Sequence, residues 1–161
     1  MRVGGYRMRD HARLLAPLFG LIFAVWLLRL VVGSMDSSSR VVHVLSVTAA
    51  ASLSMLLAAV LIHFRQFGSY PNVVVSSFLI ALCAQLLIVG AVAFAVITGT
   101  HNIFTAPQFS VPDDPHHIKH MVGQLTFGVG SGTLLGAATG CLILFLLRIL
   151  VPVRCKPAEN E

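Results

Sequence analysis

Charged residues are scarce in this chain. They make up 11% of its 161 residues, whereas an average soluble domain carries about 25%. This number of charges is too small to cover the surface of a globular domain in water. The deficit therefore excludes an ordinary soluble domain and indicates lipid as the solvent for much of the chain. The basic residues lie at the ends of apolar segments and form no stripe, so we expect no nucleic-acid partner.

Cysteine and catalytic motifs are also lacking. The three cysteines, Cys83, Cys141 and Cys155, lie far apart and match no metal-binding or redox spacing. No GxSxG, GxGxxG or Walker-type motif is present. The sequence therefore predicts a protein that is not an enzyme and that has no cofactor.

What the chain does contain is four long apolar segments. A helix of about 20 apolar residues crosses the hydrocarbon core of a bilayer, and backbone groups in lipid must find their hydrogen bonds within the segment. The predicted fold is therefore all-α, a single integral membrane domain (1–161) built as an up-down bundle of four transmembrane helices. The predicted helices are 14–33, 41–62, 72–98 and 115–151, with an outer loop at 99–114 and a tail at 152–161.

The flanks of these segments predict how the bundle sits in the membrane. The first apolar run is longer than that of a cleaved signal peptide, about 7–15 residues, so we expect it to be retained as a helix. Lys and Arg accumulate on the cytoplasmic side of membrane proteins. The side of the two termini carries Arg2, Arg7, Arg9, Arg13, Arg65, Arg148, Arg154 and Lys156, and the other side Arg29, Arg40 and Lys119. We expect both termini in the cytoplasm and the protein in the cell membrane.

Small residues at four-residue spacing mark two of the helices. The glycines of the fourth segment are Gly128, Gly132, Gly136 and Gly140. This spacing places them on one helix face, where another backbone can approach closely, as helices do in lipid. The second segment carries the series Ser46, Ala50, Ser54 and Ala58. We expect helices two and four to pack together within the chain; the alternative is association with a second copy or with other membrane subunits.

The segment PDDPHHIKH, residues 112–120, is the one place where acids, a base and histidines crowd together. Asp114 followed by Pro115 has the form of a helix N-cap and a first helical residue, so the fourth helix is predicted to begin near Pro115. Asp36 and the serines after it are the predicted N-caps of the second helix. The favoured interpretation of the histidines is a hydrated polar rim without a ligand.

A metal or haem site is the alternative interpretation of this rim. His116 and His120 are four residues apart on one helix face, and His43 lies near the same outer rim. With Asp113 these histidines form a candidate set of transition-metal ligands. His43 and His120 form a candidate haem pair, whereas a second haem is disfavoured because His63 is the only histidine predicted on a membrane helix at the inner side.

The remaining polar and aromatic signals are few. Gln85 lies near the middle of the third helix and is predicted to form an interhelical hydrogen bond. Phe104 and Phe109, in the outer loop, are predicted to lie on the membrane surface as anchors, with partner binding by this long loop as the alternative.

Taken together, the sequence favours a small multi-pass membrane protein with a structural or accessory role. It would associate with itself or with other membrane subunits through the glycine-lined fourth helix. The first alternative is a metal- or haem-binding protein of redox or metal-handling type. The second is a small-solute permease lined by Gln85, Thr133 and Thr139.

Overall fold

Four long apolar helices make up most of the structure. It is a computed structural model that describes residues 2–35, 46–100, 102–105, 114 and 117–151. The helices are α1 (Met8–Met35), α2 (Val47–Phe64), α3 (Tyr70–Thr98) and α4 (Ile118–Leu150). As predicted, all four are long and apolar enough to cross a membrane.

Helix α1 begins six residues before its predicted start because its first turn is capped. The side chain of Asp10 accepts a hydrogen bond of 2.9 Å from the backbone N–H of Arg7. An acid at the third helical position does the same in a capping box. By hydropathy alone, residues 8–13 are a polar flank outside the predicted helix. They are helical because the Asp10 cap stabilises the first turn.

The ends of α2 and α3 follow from local capping as well. Ser46 is the N-cap of α2, and its Oγ accepts from the N–H of Ala49 at 3.3 Å. The predicted caps, Asp36 and residues 37–39, lie outside the described residues. Helix α3 has Pro71 in its first turn and ends at Gly99, whose φ of +68° suits a residue without a side chain.

Before α1, a short hairpin covers the start of the chain. Strands β1 (Arg2–Val3) and β2 (Tyr6–Arg7) pair in antiparallel register. The turn between them is Gly4–Gly5, both at positive φ, a conformation that glycine adopts without steric cost in two-residue turns. The Tyr6 ring stacks on Phe67 with 3.9 Å between ring centroids, so the hairpin is held against the α2–α3 connection.

A buried polar pair lies beneath this hairpin. His11 of α1 and Asn72 of α3 are both fully buried, and His11 Nε2 lies 3.1 Å from Asn72 Oδ1. Asn72 Nδ2 donates to the carbonyl of Phe67, and His11 Nδ1 lies 3.2 Å from the carbonyl of Arg7. The pair ties α1 to α3 and to the α2–α3 connection. The prediction that His63 is the only histidine on a helix at this side is therefore wrong, because α1 begins early enough to include His11.

Helices α2 and α3 form the centre of the bundle. In the described part of the chain, α1 and α4 each pack against both of them rather than against each other. The last turn of α4 meets the α2–α3 connection, where Arg148 donates to the carbonyl of Gly68 at 3.1 Å and its guanidinium lies over the Tyr70 ring. We call this the basic end, because the exposed Arg7, Arg9, Arg13, Arg65 and Arg148 lie there.

The opposite end, which we call the capped end, is closed by a turn after α3. Asn102 donates from Nδ2 to the carbonyl of Ala91 at 2.7 Å, and its Oδ1 accepts from the N–H of Phe104. The following 3₁₀ turn, Ile103–Thr105, is buried, and Ile103 packs against Gly33 of α1. The prediction of Phe104 as a surface anchor is wrong: its ring is buried in the core and the Arg29 guanidinium lies 5.3 Å from its centroid. Phe109 lies outside the described residues.

Candidate functional site

Each glycine of the four-residue series on α4 lies against a residue of α3. A side-chain carbon at these positions would meet, in order, Gln85, Ala81, Ser77 and Val73 at Gly128, Gly132, Gly136 and Gly140. Each four-residue step forward on α4 is a four-residue step backward on α3, so the two helices run in opposite directions. Added carbons would lie 2.8 Å from Gln85 Cδ at Gly128 and 2.7 Å from Val73 Cγ1 at Gly140. A side chain at Gly128 or Gly140 would therefore require its neighbour on α3 to move, so glycine is what allows the close approach of α4 to α3.

Helix α2 contributes to this packing through different residues from those predicted. Added carbons at Gly136 and Gly140 would meet Met55 and Ala59 of α2, again in four-residue steps but in the same direction along both helices. The predicted series consists of Ser46, Ala50, Ser54 and Ala58, and none of its members is among the atoms nearest to the glycines. Ala50, Ser54 and Ala58 are buried, and Ser46 caps α2.

Next to this packing, a groove of about 600 Å³ lies between α2, α3 and α4. Its volume is within the range of small-molecule sites, roughly 300–1,000 Å³. The lining residues include exposed ones such as Phe127 and Leu135, so the groove opens on the side of the bundle. The residues that line it are Thr48, Ala51, Ser52, Met55, Leu56, Ala81, Ala84, Gln85, Gln124, Phe127, Gly128, Ser131, Gly132, Leu135, Gly136 and Thr139.

The groove has a polar end. Gln85 and Gln124 both approach Gly128: a carbon added there would lie 2.9 Å from Gln85 Nε2 and 3.1 Å from Gln124 Oε1. Gly136 of α4 lies beside Met55 of α2, and these two helices run in the same direction. Gly128 lies about two turns before Gly136, and Thr48 about two turns before Met55, so Thr48 and Gly128 are at a similar height in the bundle. The two carboxamides and the Thr48 hydroxyl therefore gather at the side of the groove that faces the capped end.

Gln85 itself is buried without a partner. The residue is only 9% exposed, and its Oε1 accepts no hydrogen bond from the described residues. The predicted interhelical hydrogen bond of Gln85 is thus not formed within the described part of the chain. Two other hydroxyl groups in the groove bond within their own helix: Ser131 donates to the carbonyl of Phe127, and Thr139 to that of Leu135. Among the described residues that line the groove, Gln85 Oε1 is therefore the one buried polar side-chain atom that has no hydrogen-bond partner.

The segment of α4 beside Gln85 is not an ordinary α-helix. Residues Gln124–Gly128 form a π-helical turn between the α-helical segments Ile118–Gly123 and Val129–Leu150. Such wide turns are rare and frequently occur at functional sites. Gln124 lies within the turn and Gly128 ends it, so the turn carries the α4 side of the polar end.

Of the predicted permease residues, the structure brings two to the groove. Gln85 and Thr139 line it, whereas Thr133 does not and donates to the carbonyl of Val129 at 2.7 Å. Gln85 lies at the polar end and Thr139 three turns of α4 further toward the basic end. These residues thus lie at opposite ends of one groove.

The predicted metal residues fall mostly outside the described part of the chain. His43, Asp113 and His116 are not among the described residues. His120 is, and it is buried in the first turns of α4. Among the described residues, no three His, Cys, Asp or Glu side chains converge on one point. The metal and haem hypotheses stay predictions.

The N-cap residue of α4 is His117 and not Asp114 as predicted, and the helix begins at Ile118 rather than near Pro115, but the Asp114 side chain still caps the backbone of its first turn. Its two carboxylate oxygens accept from the backbone N–H groups of Ile118 and His120, each at 3.0 Å. His117 takes the left-handed conformation, with φ of +54°, directly before the first helical residue, Ile118.

This cap also shifts the acidity of the Asp114 carboxyl. Desolvation acts to raise its pKa, but the backbone N–H donors of His120, Ile118 and Lys119, with the charge of Lys119, lower the pKa below the ordinary value of 3.8. The carboxylate is therefore the favoured form at neutral pH, as a helix N-terminus requires.

A smaller cavity of about 300 Å³ continues from the groove toward the capped end. Thr48 and Gln124 line both spaces, and Arg29, Phe104 and His120 complete the smaller one. The polar end of the groove is therefore connected to the capped surface.

Sequence reasoning pointed to Gln85 but gave no sign of Gln124 or Thr48. Both are single polar residues near predicted helix ends, and the π-helical turn that positions Gln124 has no known sequence pattern of its own. The His11–Asn72 pair was also missed, since Asn72 was placed at a helix end and His11 before the first helix. Comparison with known proteins gives no match to any family model, to any curated protein or to any solved structure.

Proposed function

We propose that this chain is a non-enzymatic, multi-pass membrane protein that binds a lipid-like molecule in the groove between α2, α3 and α4. The observation that carries this proposal is the Gln85 carboxamide. It lines the groove, is nine-tenths buried and has an oxygen without a partner among the described residues.

The energetics of Gln85 favour a ligand. Leaving a buried polar group unsatisfied costs about 1–3 kcal/mol, and the hydrocarbon around the bundle holds no water to compensate it. Polar groups retained inside a membrane are functional candidates for this reason. An amphiphile that enters sideways from the bilayer would satisfy the carboxamide with its head group and fill the apolar remainder of the groove with its tail.

The packing of the glycines bears on the accessory role predicted from the sequence. Gly128, Gly132, Gly136 and Gly140 meet α3 and α2 of the same chain. This face is thereby occupied, so it offers no support for association with another subunit. In our proposal the close packing has a different consequence: it brings Gln85 of α3 to the wall of a groove on α4.

The proposed placement is the cell membrane with the basic end in the cytoplasm. Among the described residues, Arg7, Arg9, Arg13, Arg65 and Arg148 lie at the basic end, and Arg29 and Lys119 toward the capped end. This asymmetry is the one that orients membrane proteins. Both termini are then cytoplasmic, and the polar end of the groove faces the outer half of the bilayer.

The test is the lipid content of the purified protein. Ser131 lines the groove and Ala138 is exposed on the same helix outside it, so Ser131→Phe and Ala138→Phe form a matched pair. We expect native mass spectrometry, with solvent extraction of the bound material, to find an amphiphile on the wild type and on Ala138→Phe, and much less on Ser131→Phe.

A second pair of variants, on α2, distinguishes loss of the ligand from misfolding of a single variant. Ser52 lines the groove and Ala49 is exposed outside it, so Ser52→Phe and Ala49→Phe repeat the comparison. Equal amounts of bound amphiphile in all four variants, or none on the wild type, would overturn the proposal.

A further inference from the structure

The groove carries no charge along its lining. Its polar members among the described residues are hydroxyl and carboxamide side chains, at Thr48, Ser52, Gln85, Gln124, Ser131 and Thr139. A charged head group placed there would lose its hydration without gaining a counter-charge, which is strongly unfavourable in an apolar medium. The lining of the groove therefore offers no counter-charge to a carboxylate, phosphate or ammonium group, and Arg29 lines only the smaller adjoining cavity.

The hydrogen-bonding groups of the Gln85 carboxamide determine which head group can bind to it. Oε1 of Gln85 is an acceptor that needs a hydrogen-bond donor. The amide nitrogen beside it is a donor, so a group that both donates and accepts matches the carboxamide in either orientation of its two atoms. A hydroxyl or an amide has this property, whereas an ether, an ester or a hydrocarbon has no donor.

The volume of the groove limits the rest of the molecule. A space of about 600 Å³ holds roughly 20 groups the size of a water molecule, each about 30 Å³. A methylene group is of similar size, so one hydrocarbon chain fits. Its path runs from the polar end past Met55 and Leu56 toward Leu135.

On the basis of the proposed function, we infer that the ligand is an uncharged single-chain amphiphile with a hydroxyl head group, bound with the hydroxyl on the Gln85 carboxamide. Gln85 is the specificity-determining residue of the groove; its Oε1 is buried in the structure, and a turn of the carboxamide about its last torsion, which is soft in glutamine, brings the oxygen to the hydroxyl proton. Thr48 and Gln124 surround the same head group.

The inference is tested by competition among probes that differ only in their head group. The full-length protein in detergent is labelled by 1-hexadecanol carrying a photoreactive diazirine on its chain, and the labelled peptides are located by mass spectrometry. The competitors are 1-hexadecanol, its methyl ether and hexadecanoate. We expect labelling of α2, α3 and α4 at the groove, with 1-hexadecanol competing at least tenfold better than either of the others.

Variants of Gln85 test whether this residue causes the preference for 1-hexadecanol. Gln85→Leu keeps the size of the side chain and removes both hydrogen-bonding atoms, so we expect its preference for 1-hexadecanol over the methyl ether to fall several-fold, to what Thr48 and Gln124 alone provide. Ala138→Phe, outside the groove, should keep the full preference. Thermal unfolding of each variant shows whether it is folded, and Gln85→Asn, which retains a shorter carboxamide, provides a second variant that should keep part of the preference.

The outcomes separate this inference from the proposed function. If the three competitors are equivalent on the wild type, or if hexadecanoate is the best, the groove binds amphiphiles and the inference about the hydroxyl is wrong. If the preference survives in full in Gln85→Leu, the hydroxyl binds elsewhere and the inference is also wrong. If the groove is not labelled at all, the proposed function itself fails.

Discussion

Replacing Gly140 by alanine tests the packing on which the groove depends. The added carbon would lie 2.7 Å from Cγ1 of Val73. Val73 is almost fully buried and β-branched, so its side chain has few rotamers to which it can move. Overpacking of this kind costs about 1–3 kcal/mol, while the glycine-to-alanine change itself favours a helix by roughly 0.5–1 kcal/mol.

A control on the same helix removes the helix-propensity contribution. Gly130 has no neighbouring atom within 4 Å of an added carbon, so Gly130→Ala gains the propensity without the overlap. We expect Gly140→Ala to be less stable than Gly130→Ala by about 1–3 kcal/mol. Gly136→Ala should lie between them, because its added carbon meets the sulfur of Met55, a flexible side chain that can yield.

The assay is unfolding in mixed micelles with increasing dodecyl sulfate, followed by the fluorescence of Trp26, the single tryptophan of the chain. Equal stability of Gly140→Ala and Gly130→Ala would refute the close packing of α4 on α3. If chemical cross-linking instead detects an oligomer that only Gly140→Ala loses, the glycine face acts between chains, and the prediction of association through it would be restored.

Two further predictions concern the two ends of the bundle. Asn72→Ala removes the partner of His11 and of the Phe67 carbonyl; we expect a loss of about 1–3 kcal/mol in the same assay, and unchanged stability would show that the buried pair contributes nothing. The pKa of Asp114 is lowered in the folded state, so the cap stabilises α4 above the ordinary value of 3.8 and loses this effect as the pH falls through the lowered pKa. Protection of the His120 amide from hydrogen exchange, corrected for the intrinsic exchange rate at each pH, should therefore fall below about pH 4 in the wild type but not in Asp114→Asn, and the same fall in both would refute the role of the carboxylate.

The sequence was sufficient to predict the elements whose causes are local. Four apolar segments of bilayer-spanning length predict four helices, and Asp114 is recognisable as a cap from its own residue type. The helix starts were less accurate where a cap lay in a polar flank, as Asp10 does at α1. The turn at Asn102 was missed, although asparagine is a common turn residue because its side chain accepts from the backbone N–H two residues on, as it does here from Phe104.

The partners of the helices could not be predicted in the same way. Both α2 and α3 carry small residues at four-residue spacing, and nothing in that spacing says which helix α4 approaches. The series Ala81, Ser77 and Val73 on α3 meets the glycines, whereas Ser54 and Ala58 on α2 were equally plausible partners. The groove likewise depends on the distance between three helices, which no single segment encodes.

The π-helical turn explains why the polar end and the glycine face lie on one side of α4. An α-helix has 3.6 residues per turn, so residues four apart drift around the axis by about 40° at each step. Over the steps from His120 through Gln124 to Gly140, this drift would carry the two ends of the series to different faces. Hydrogen bonds from i to i+5 widen the helix over Gln124–Gly128 and turn it less per residue, which reverses the drift for one turn. Gln124 therefore remains beside Gly128 and faces Gln85, so the irregular turn is what joins the close helix packing to the polar end of the groove.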